Sequence, residues 1–308
     1  MTTALLFPGQ GAQIVGMGKD LYAASVAARA VFDEANGVLG IDLAKACFEG
    51  PAETLERTDV CQPAILVMSI AALAAAHEKL GRSLEGKAAA GLSLGEYTAL
   101  VAAGALSFRD AVGLVRLRGQ AMQEACDAQP STMATILGAE RSLVEEACKR
   151  GSEHGVCVLA NMLGPGQIAI SGDTKAVEAA CAAAKELGAK RAIPLKVAGA
   201  FHSPLMALAA ARLREALAKV DIRDPQMDVV SNVTGRPART AADVRDCLGR
   251  QVEASVLWED SMRHLLGNGF RTFYEVGPGK VLSGIVRKLD ANAKTVNVDS
   301  TASIAALA

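Results

Sequence analysis

Ser93 is the residue with the clearest chemical potential, because glycines flank it in the segment Gly91-Leu92-Ser93-Leu94-Gly95. The apolar residues 88–90 predict a short buried strand, and the segment fits the G-x-S-x-G turn, which places a serine on a sharp strand-to-helix bend. A helix predicted over residues 99–103 directs the partial positive charge of its N-terminus towards the serine. The pattern favours a serine nucleophile, although an ordinary strand-to-helix turn uses the same residue types.

Arg118 lies in the middle of the apolar face of a helix predicted over residues 107–126. The apolar positions of that face are Ala111, Leu114, Val115, Ala121 and Met122. A guanidinium that faces the core needs an anionic partner, because its burial without one is costly. That partner is either internal, in an ion pair with Glu96 or Asp110, or the carboxylate of a substrate held by the two-pronged guanidinium. Extension of the side chain to the surface is a third possibility.

His202 precedes a helix predicted over residues 204–220, with Ser203 as its N-cap and Pro204 as its first residue. The positive potential of a helix N-terminus disfavours the imidazolium form, which favours a neutral base near pH 7. The other histidines are His77, His154 and His264. We expect these three to pack or to face solvent.

The elements that position these residues alternate between strands and helices. A first strand over residues 4–7 ends at Pro8-Gly9-Gln10-Gly11, a turn whose backbone N–H groups can bind an anion or an oxyanion. Further helices are predicted over residues 21–36, 64–80, 241–251 and 259–266, and strands over 227–230 and 271–276. A last helix follows Gly277-Pro278-Gly279 through residue 289, and residues 304–308 are predicted to form a frayed tail.

Residues 128–196 have a different order of predicted strands and helices. Strands are predicted over 132–137, 156–160, 167–171 and 190–195, and helices over 139–150 and 174–187. The resulting order βαββαβ is that of a ferredoxin-like unit. We therefore predict an α/β chain in which residues 1–127 and 197–308 form the large domain and residues 128–196 form an insert. A cleft between two such bodies is a preferred place for a ligand.

Composition excludes several classes of protein. The 308 residues are 51% hydrophobic and only 4% aromatic, which argues against a disordered chain, and a net charge of -1 provides no overall field for nucleic acid. The seven cysteines show no C-x-x-C spacing, so we predict reduced thiols in the cytoplasm and no metal site. The longest apolar run, residues 64–76, is short for a bilayer and predicts a core helix.

Five motifs taken in order resemble those of the malonyl-CoA:acyl-carrier-protein transacylases. They are Pro8-Gly9-Gln10-Gly11, Gly91-Leu92-Ser93-Leu94-Gly95-Glu96, Arg118, Gly199-Ala200-Phe201-His202-Ser203 and Glu275-Val276-Gly277-Pro278-Gly279. The resemblance extends over residues 4–289. It implies a large hydrolase-like α/β domain with a parallel-sheet core, together with the ferredoxin-like insert. The chain has Leu92 where many members of the family have histidine.

The same resemblance implies a two-step reaction that needs no cofactor. Ser93 attacks the thioester of malonyl-CoA and CoA leaves, after which the phosphopantetheine thiol of an acyl carrier protein attacks the malonyl-enzyme. His202 takes the serine proton and returns it to the leaving thiolate. The backbone N–H groups of Gln10 and Leu94 would form the oxyanion hole, and the backbone carbonyl of Gln251 would orient His202.

Selectivity for malonyl is also implied by the resemblance. Arg118 would pair with the malonyl carboxylate, which acetyl-CoA lacks, and this mismatch is worth roughly 10²-fold or more in rate. Phe201 beside the histidine is similar to the malonyl-type pattern. Gln62, Asn161, Gln167 and Phe201 are expected to line the cleft.

The implied partners are CoA and an acidic acyl carrier protein, and we expect a monomer that binds neither nucleic acid nor membrane. A candidate basic rim for the carrier consists of Lys190, Arg191, Lys196, Arg287 and Lys288, although scattered solvated cations would explain the same residues. Three other functions stay open at this point: a polyketide-synthase acyltransferase, an acyl hydrolase that uses the same Ser93 and His202, and a module that only docks the carrier.

Overall fold

The computed structural model describes residues 2–84 and 86–307. Its strands are β1 Thr2–Phe7, β2 Ala88–Gly91, β3 Ser131–Leu137, β4 Cys157–Gly164, β5 Gln167–Asp173, β6 Arg191–Pro194, β7 Asp228–Val230, β8 Pro237–Ala238, β9 Phe270–Val276 and β10 Lys294–Val298. Its helices are α1 Lys19–Ala24, α2 Val26–Leu39, α3 Leu43–Glu49, α4 Ala52–Glu56, α5 Thr58–Leu80, α6 Gly95–Ala102, α7 Phe108–Ala128, α8 Arg141–Gly151, α9 Thr174–Glu186, α10 Ala207–Leu217, α11 Ala241–Gln251, α12 Trp258–Gly267, α13 Val281–Leu289 and α14 Thr301–Ala305.

The large domain is organised around a six-stranded sheet in the order β10-β9-β1-β2-β7-β8. All neighbouring strands are parallel except β7 and β8. Phe7 of β1 is in register with Gly91 of β2, so the two strands end side by side. The loops that carry Gln10 and Ser93 therefore leave the same carboxyl edge, where open α/β sheets bind their ligands.

The long helix α5 is the core helix of this domain. The helix is longer than the apolar run over residues 64–76, because residues 58–63 extend it at the N-terminus. Its length alone is therefore sufficient for a membrane span. Its 23 residues are long and apolar enough to cross a membrane, but 83% of the most apolar window is buried inside the fold. Helices α2 and α7 pack on it, and this burial explains the hydrophobicity without a bilayer.

Residues 131–194 form a second, four-stranded antiparallel sheet in the order β4-β5-β3-β6. Helices α8 and α9 pack together and share with the sheet a hydrophobic core of its own. The βαββαβ unit predicted from the sequence is thus present, and the α/β fold class with a ferredoxin-like insert is confirmed. A backbone bridge between Asn161 of β4 and Val256 connects the insert to the large domain.

Two predicted helices are divided in the structure. The helix predicted over residues 21–36 is broken at Ser25, which is extended (φ −120°) and whose side chain accepts a hydrogen bond from the N–H of Ala28 as the N-cap of α2. The helix predicted from Pro204 begins as a 3-10 turn over Pro204–Met206 before α10 starts. In both places a local side-chain cap overrides the helical periodicity.

The prediction for the C-terminus is wrong. Residues beyond 289 form β10, which pairs in parallel with β9, and α14, in which Ile304 is buried. The N–H of Thr301 donates to Asp20 Oδ2 and anchors this helix to α1 (2.7 Å). A frayed tail is therefore excluded for residues 304–305, while Ala308 lies outside the described residues. Helices α3 and α4 were also not predicted.

Candidate active site

Ser93 lies on a strained turn between β2 and α6. Its φ of 51° is in the left-handed region, which non-glycine residues rarely adopt. The flanking glycines allow the turn, since a Cβ on Gly91 would lie 1.9 Å from the carbonyl carbon of Gly95, and one on Gly95 would lie 2.2 Å from Phe7 O. The N–H of Ser93 donates to Asn232 Oδ1 at 2.6 Å, which holds the turn from the β7 side.

His202 faces the serine from the other side of the cleft. Ser93 Oγ lies 2.8 Å from His202 Nε2, and His202 Nδ1 lies 2.9 Å from the backbone carbonyl oxygen of Gln251. A carbonyl only accepts, so Nδ1 carries the proton and Nε2 presents its lone pair to the Ser93 hydroxyl. The tautomer is therefore the one that a general base needs.

The imidazole is held in the neutral form. Burial, together with the nearby Arg118 cation, lowers the pKa of His202 from 6.5 to about 4. The direction agrees with the sequence-based expectation, but the cause differs. Ser203 caps only a three-residue 3-10 turn, whereas removal from water is the main reason for the low pKa.

Arg118 is 1% exposed and donates three hydrogen bonds. Nη1 donates to Gln62 Oε1 (2.7 Å), and Nη2 donates to Ser93 Oγ (3.0 Å) and to Gln251 Oε1 (3.1 Å). Its Nε has no partner among the described residues. All the acceptors are neutral, and the guanidinium forms no ion pair with a carboxylate in the described part of the chain. The two ion pairs considered from the sequence are thus absent, and Asp110 instead hydrogen-bonds to Ser107.

Two backbone N–H groups border the serine from adjacent loops. Neither the N–H of Gln10 nor that of Leu94 donates to an acceptor within residues 2–84 and 86–307. The loops approach closely, because a Cβ on Gly9 would lie 2.3 Å from Leu92 O. Leu94 is the residue after the serine and Gln10 follows the neighbouring strand end and lines the same cavity, so these two N–H groups are the candidates for an oxyanion pocket.

A cavity of about 350 Å³ joins these groups and is lined by both domains. Asn161, Gln167 and Phe201 line it, as the sequence predicts. Gln62 does not: it is fully buried behind Arg118, whose guanidinium it contacts. The apolar part of the wall includes Leu92, Met122, Met133, Leu195, Val197 and Val281. Leu92 thus contributes apolar surface to the wall of the cavity.

Three features behind the nucleophile were not predicted from the sequence. The side chain of Gln251, as well as its carbonyl, contacts the site. Asn232 accepts from the N–H of Ser93, and its Nδ2 donates to Gly91 O at 2.7 Å. Glu96 is buried, which raises the pKa of its carboxyl to about 7. The position of Glu96 directly after the G-x-S-x-G turn was a usable signal, whereas nothing in the sequence pointed to Asn232.

The site lies at the carboxyl edge of a parallel sheet and combines a strained serine, a neutral imidazole and a buried guanidinium. These groups define a serine enzyme that transfers an anionic acyl group.

Comparisons with known proteins identify the family of the chain. The acyl transferase domain family matches residues 4–305. The malonyl CoA-acyl carrier protein transacylase of Bacillus subtilis is 48% identical over 303 residues, which are 98% of this chain and 94% of that protein. The chain belongs to the malonyl CoA-acyl carrier protein transacylases, within the acyl transferase family.

Solved structures agree with this assignment. The acyl-carrier-protein S-malonyltransferase of Burkholderia pseudomallei 1710b superposes with a TM-score of 0.95 at 41% identity and covers 100% of this chain and 99% of its own. A malonyl-transacylase in complex with its type II PKS acyl-carrier protein has a TM-score of 0.95 at 38% identity, covering 99% of this chain and 98% of its own.

Proposed function

We propose that this chain transfers the malonyl group from malonyl-CoA to the phosphopantetheine thiol of an acyl carrier protein through a malonyl-Ser93 intermediate, and so supplies fatty-acid synthesis. The observation that carries the proposal is Arg118, a buried cation that pairs with no carboxylate among residues 2–84 and 86–307 and lies 3.0 Å from Ser93 Oγ. A cation in this position selects an acyl group that has its own negative charge.

In the first half-reaction Ser93 Oγ attacks the thioester carbonyl carbon while its proton passes to His202 Nε2. The carbonyl oxygen becomes an oxyanion, which the N–H groups of Gln10 and Leu94 stabilise. As the intermediate collapses, the C–S bond breaks and His202 returns the proton to the CoA thiolate. The second half-reaction reverses the roles: His202 takes the proton of the carrier thiol as its sulfur attacks the malonyl carbonyl carbon, the C–O bond to Ser93 breaks, and His202 returns the proton to Ser93 Oγ.

The histidine needs no carboxylate partner in this scheme. The carbonyl of Gln251 already orients Nδ1–H, at 2.9 Å, and a thiolate is a good leaving group. The substrate and the product are both thioesters, so the transfer needs no external source of free energy and the proposal includes no cofactor. The apolar wall around Leu195, Val197 and Val281 offers a surface for the pantetheine arm that both acyl carriers share.

The carrier protein is the proposed second substrate, in keeping with the complex described above for a related malonyl-transacylase. The residues of the basic rim, Lys190, Arg191, Lys196, Arg287 and Lys288, are all exposed. Lys196 forms an ion pair with Glu56, and Arg287 donates to Thr295. The other three are the cations we propose first for the acidic partner. The monomeric state and the cytoplasmic location stay predictions.

The test is intact-protein mass spectrometry after mixing with malonyl-CoA, then after adding the holo carrier protein. We expect one malonyl adduct on the wild type, its disappearance on addition of the carrier, and no adduct on Ser93→Ala. Free malonate in place of malonyl-carrier would identify a hydrolase. Failure of malonyl-CoA to label Ser93 would refute the proposal.

A further inference from the structure

The side-chain amide of Gln251 lies between Arg118 and the buried carboxylate of Glu96. Its Oε1 accepts from Arg118 Nη2 at 3.1 Å, and its Nε2 donates to Glu96 Oε2 at 2.6 Å and to Ser93 O at 2.9 Å. We infer that Glu96 is a positioning residue: it fixes the orientation of the Gln251 amide, and through that amide it holds Arg118 for the acyl carboxylate. The inference rests on the proposed function, since it gives Arg118 the malonyl group as its ligand.

The two ends of the amide are not interchangeable here. In the flipped orientation the NH2 group would face the guanidinium, which only donates, and Oε1 would face the carbonyl oxygen of Ser93 and the Glu96 carboxylate, which only accept. With Glu96 ionised, a form that the hydrogen bonds from Gln251 and Asn232 favour, every contact would then be repulsive. Arg118 and the carbonyl of Ser93 already favour the observed orientation, and Glu96 adds the shortest of the three hydrogen bonds; without Glu96 the Nε2 end is held by a single acceptor.

Glu96 is itself held in place. It lies in the first turn of α6, is 2% exposed, and accepts a hydrogen bond from the backbone N–H of Asn232 at 3.2 Å. Gln251 is fully buried at the end of α11, and its carbonyl accepts from His202. A displacement of the Gln251 side chain therefore affects Arg118 more directly than His202, because the hydrogen bond to the imidazole is accepted by the backbone carbonyl of Gln251.

Loss of the Glu96 acceptor should consequently affect malonyl more than acetyl. Arg118 would lose one of its three acceptors and move away from the position that binds the acyl carboxylate. Acetyl-CoA has no carboxylate for Arg118 to bind, so acylation by acetyl-CoA should change little. A residue that merely supports the fold would lower both reactions alike.

The experiment measures kcat/KM for acylation of Ser93 by malonyl-CoA and by acetyl-CoA in three variants. Glu96→Gln retains an acceptor oxygen and should keep the malonyl-to-acetyl ratio. Glu96→Met removes the acceptor, and Glu96→Asp withdraws it by one methylene; we expect each to lower the ratio by about tenfold. Glu96→Asp also keeps a buried acid, so it decides the question if Glu96→Met does not fold. An unchanged ratio in Glu96→Asp would overturn the inference.

A double-mutant cycle tests whether Glu96 acts through Gln251. Gln251→Met should lower the ratio by itself, and addition of Glu96→Asp should then lower it no further, because the connecting amide is gone. Independent, multiplicative losses would overturn the proposed route. These outcomes are separate from the proposed function, which fails only if the wild type itself does not transfer malonyl.

Discussion

Arg118 Nη2 lies 3.0 Å from Ser93 Oγ, so the cation assigned to the substrate carboxylate already contacts the nucleophile in the free protein. Ser93 Oγ accepts this bond and can donate its own proton to His202 Nε2 at 2.8 Å. The malonyl carboxylate is only two bonds beyond the carbonyl carbon that the serine attacks. A short acyl group can therefore reach Arg118 while its thioester carbonyl is at Ser93.

Arg118→Ala should separate malonyl from acetyl transfer. We expect malonyl transfer to fall by about 10²-fold or more, since the carboxylate would be buried without a partner, and acetyl transfer to change far less. Single-turnover acylation with each acyl-CoA measures both. Arg116→Ala is a matched control, because Arg116 is two residues away on α7 and pairs with Asp59 at 3.3 Å outside the site. Equal losses for both acyl groups would contradict the assignment.

His202→Ala should slow both half-reactions, since the same nitrogen serves as base and then as acid in each. General acid–base catalysis contributes about 10²- to 10⁴-fold, so each step should lose about that much. Acylation is followed by release of CoA, and transfer by decay of isolated malonyl-enzyme on addition of the carrier. Wild-type rates in either step would show that another group moves the proton.

The acid side of the pH profile should be set by His202. Its pKa is lowered to about 4, so the imidazole remains an active base down to low pH, and acylation should decline only as pH falls through that value. Arg118→Ala, assayed with acetyl-CoA, should move the decline upward towards 6.5 but not all the way, because burial is the larger cause. An unchanged profile would exclude the influence of the cation.

The same group contributes to the pH dependence of stability. Between about pH 4 and 6.5 the unfolded chain binds a proton at this histidine and the folded protein does not. This contribution to the free energy of unfolding is therefore fully present above 6.5 and is lost as pH falls towards 4. Chemical denaturation of wild type and His202→Ala at several pH values measures it, and parallel curves would contradict the assigned shift.

Gly95→Ala should destabilise the fold strongly, because its Cβ would lie 2.2 Å from the backbone oxygen of Phe7 and the turn cannot yield without moving β1. We expect a loss of about 3 kcal/mol or more in the free energy of unfolding, together with loss of activity. The control is Gly113→Ala in the helix α7, where a Cβ meets no atom of another described element within 4 Å. That substitution should stabilise the protein by up to about 1 kcal/mol.

The double variant Arg191→Glu and Lys288→Glu tests the basic rim, because both residues are among the three cations proposed first for the carrier. Reversal of two charges should raise the Michaelis constant for the carrier protein at low salt and leave that for malonyl-CoA unchanged, with the difference shrinking as salt is added. Lys45→Glu with Lys79→Glu makes the same change of charge at exposed positions outside the rim. An identical Michaelis constant for the carrier in both double variants would remove the rim from the proposal.

The sequence by itself indicated most of the strand–helix order and singled out Ser93, Arg118 and His202, the last two of which the fold brings within hydrogen-bond distance of Ser93. Three local features can be recognised in the sequence alone. They are the glycine pattern, the strand–helix alternation and the position of an arginine on an apolar face. The C-terminal strand β10 was missed because an edge strand of mixed residues, Lys-Thr-Val-Asn-Val, has a weak pattern and becomes a strand only by pairing with β9.

Only the tertiary structure decided how the three groups are held. Asn232 lies 136 residues after Glu96 in the chain, and Gln251 lies 19 residues after Asn232. The three meet because α6, β7 and α11 pack behind one turn. Whether Arg118 was already neutralised by a carboxylate depended on which side chains that packing brought within reach. Hydrogen bonds and burial act through space, so the charge left for a substrate appears only once the chain is folded.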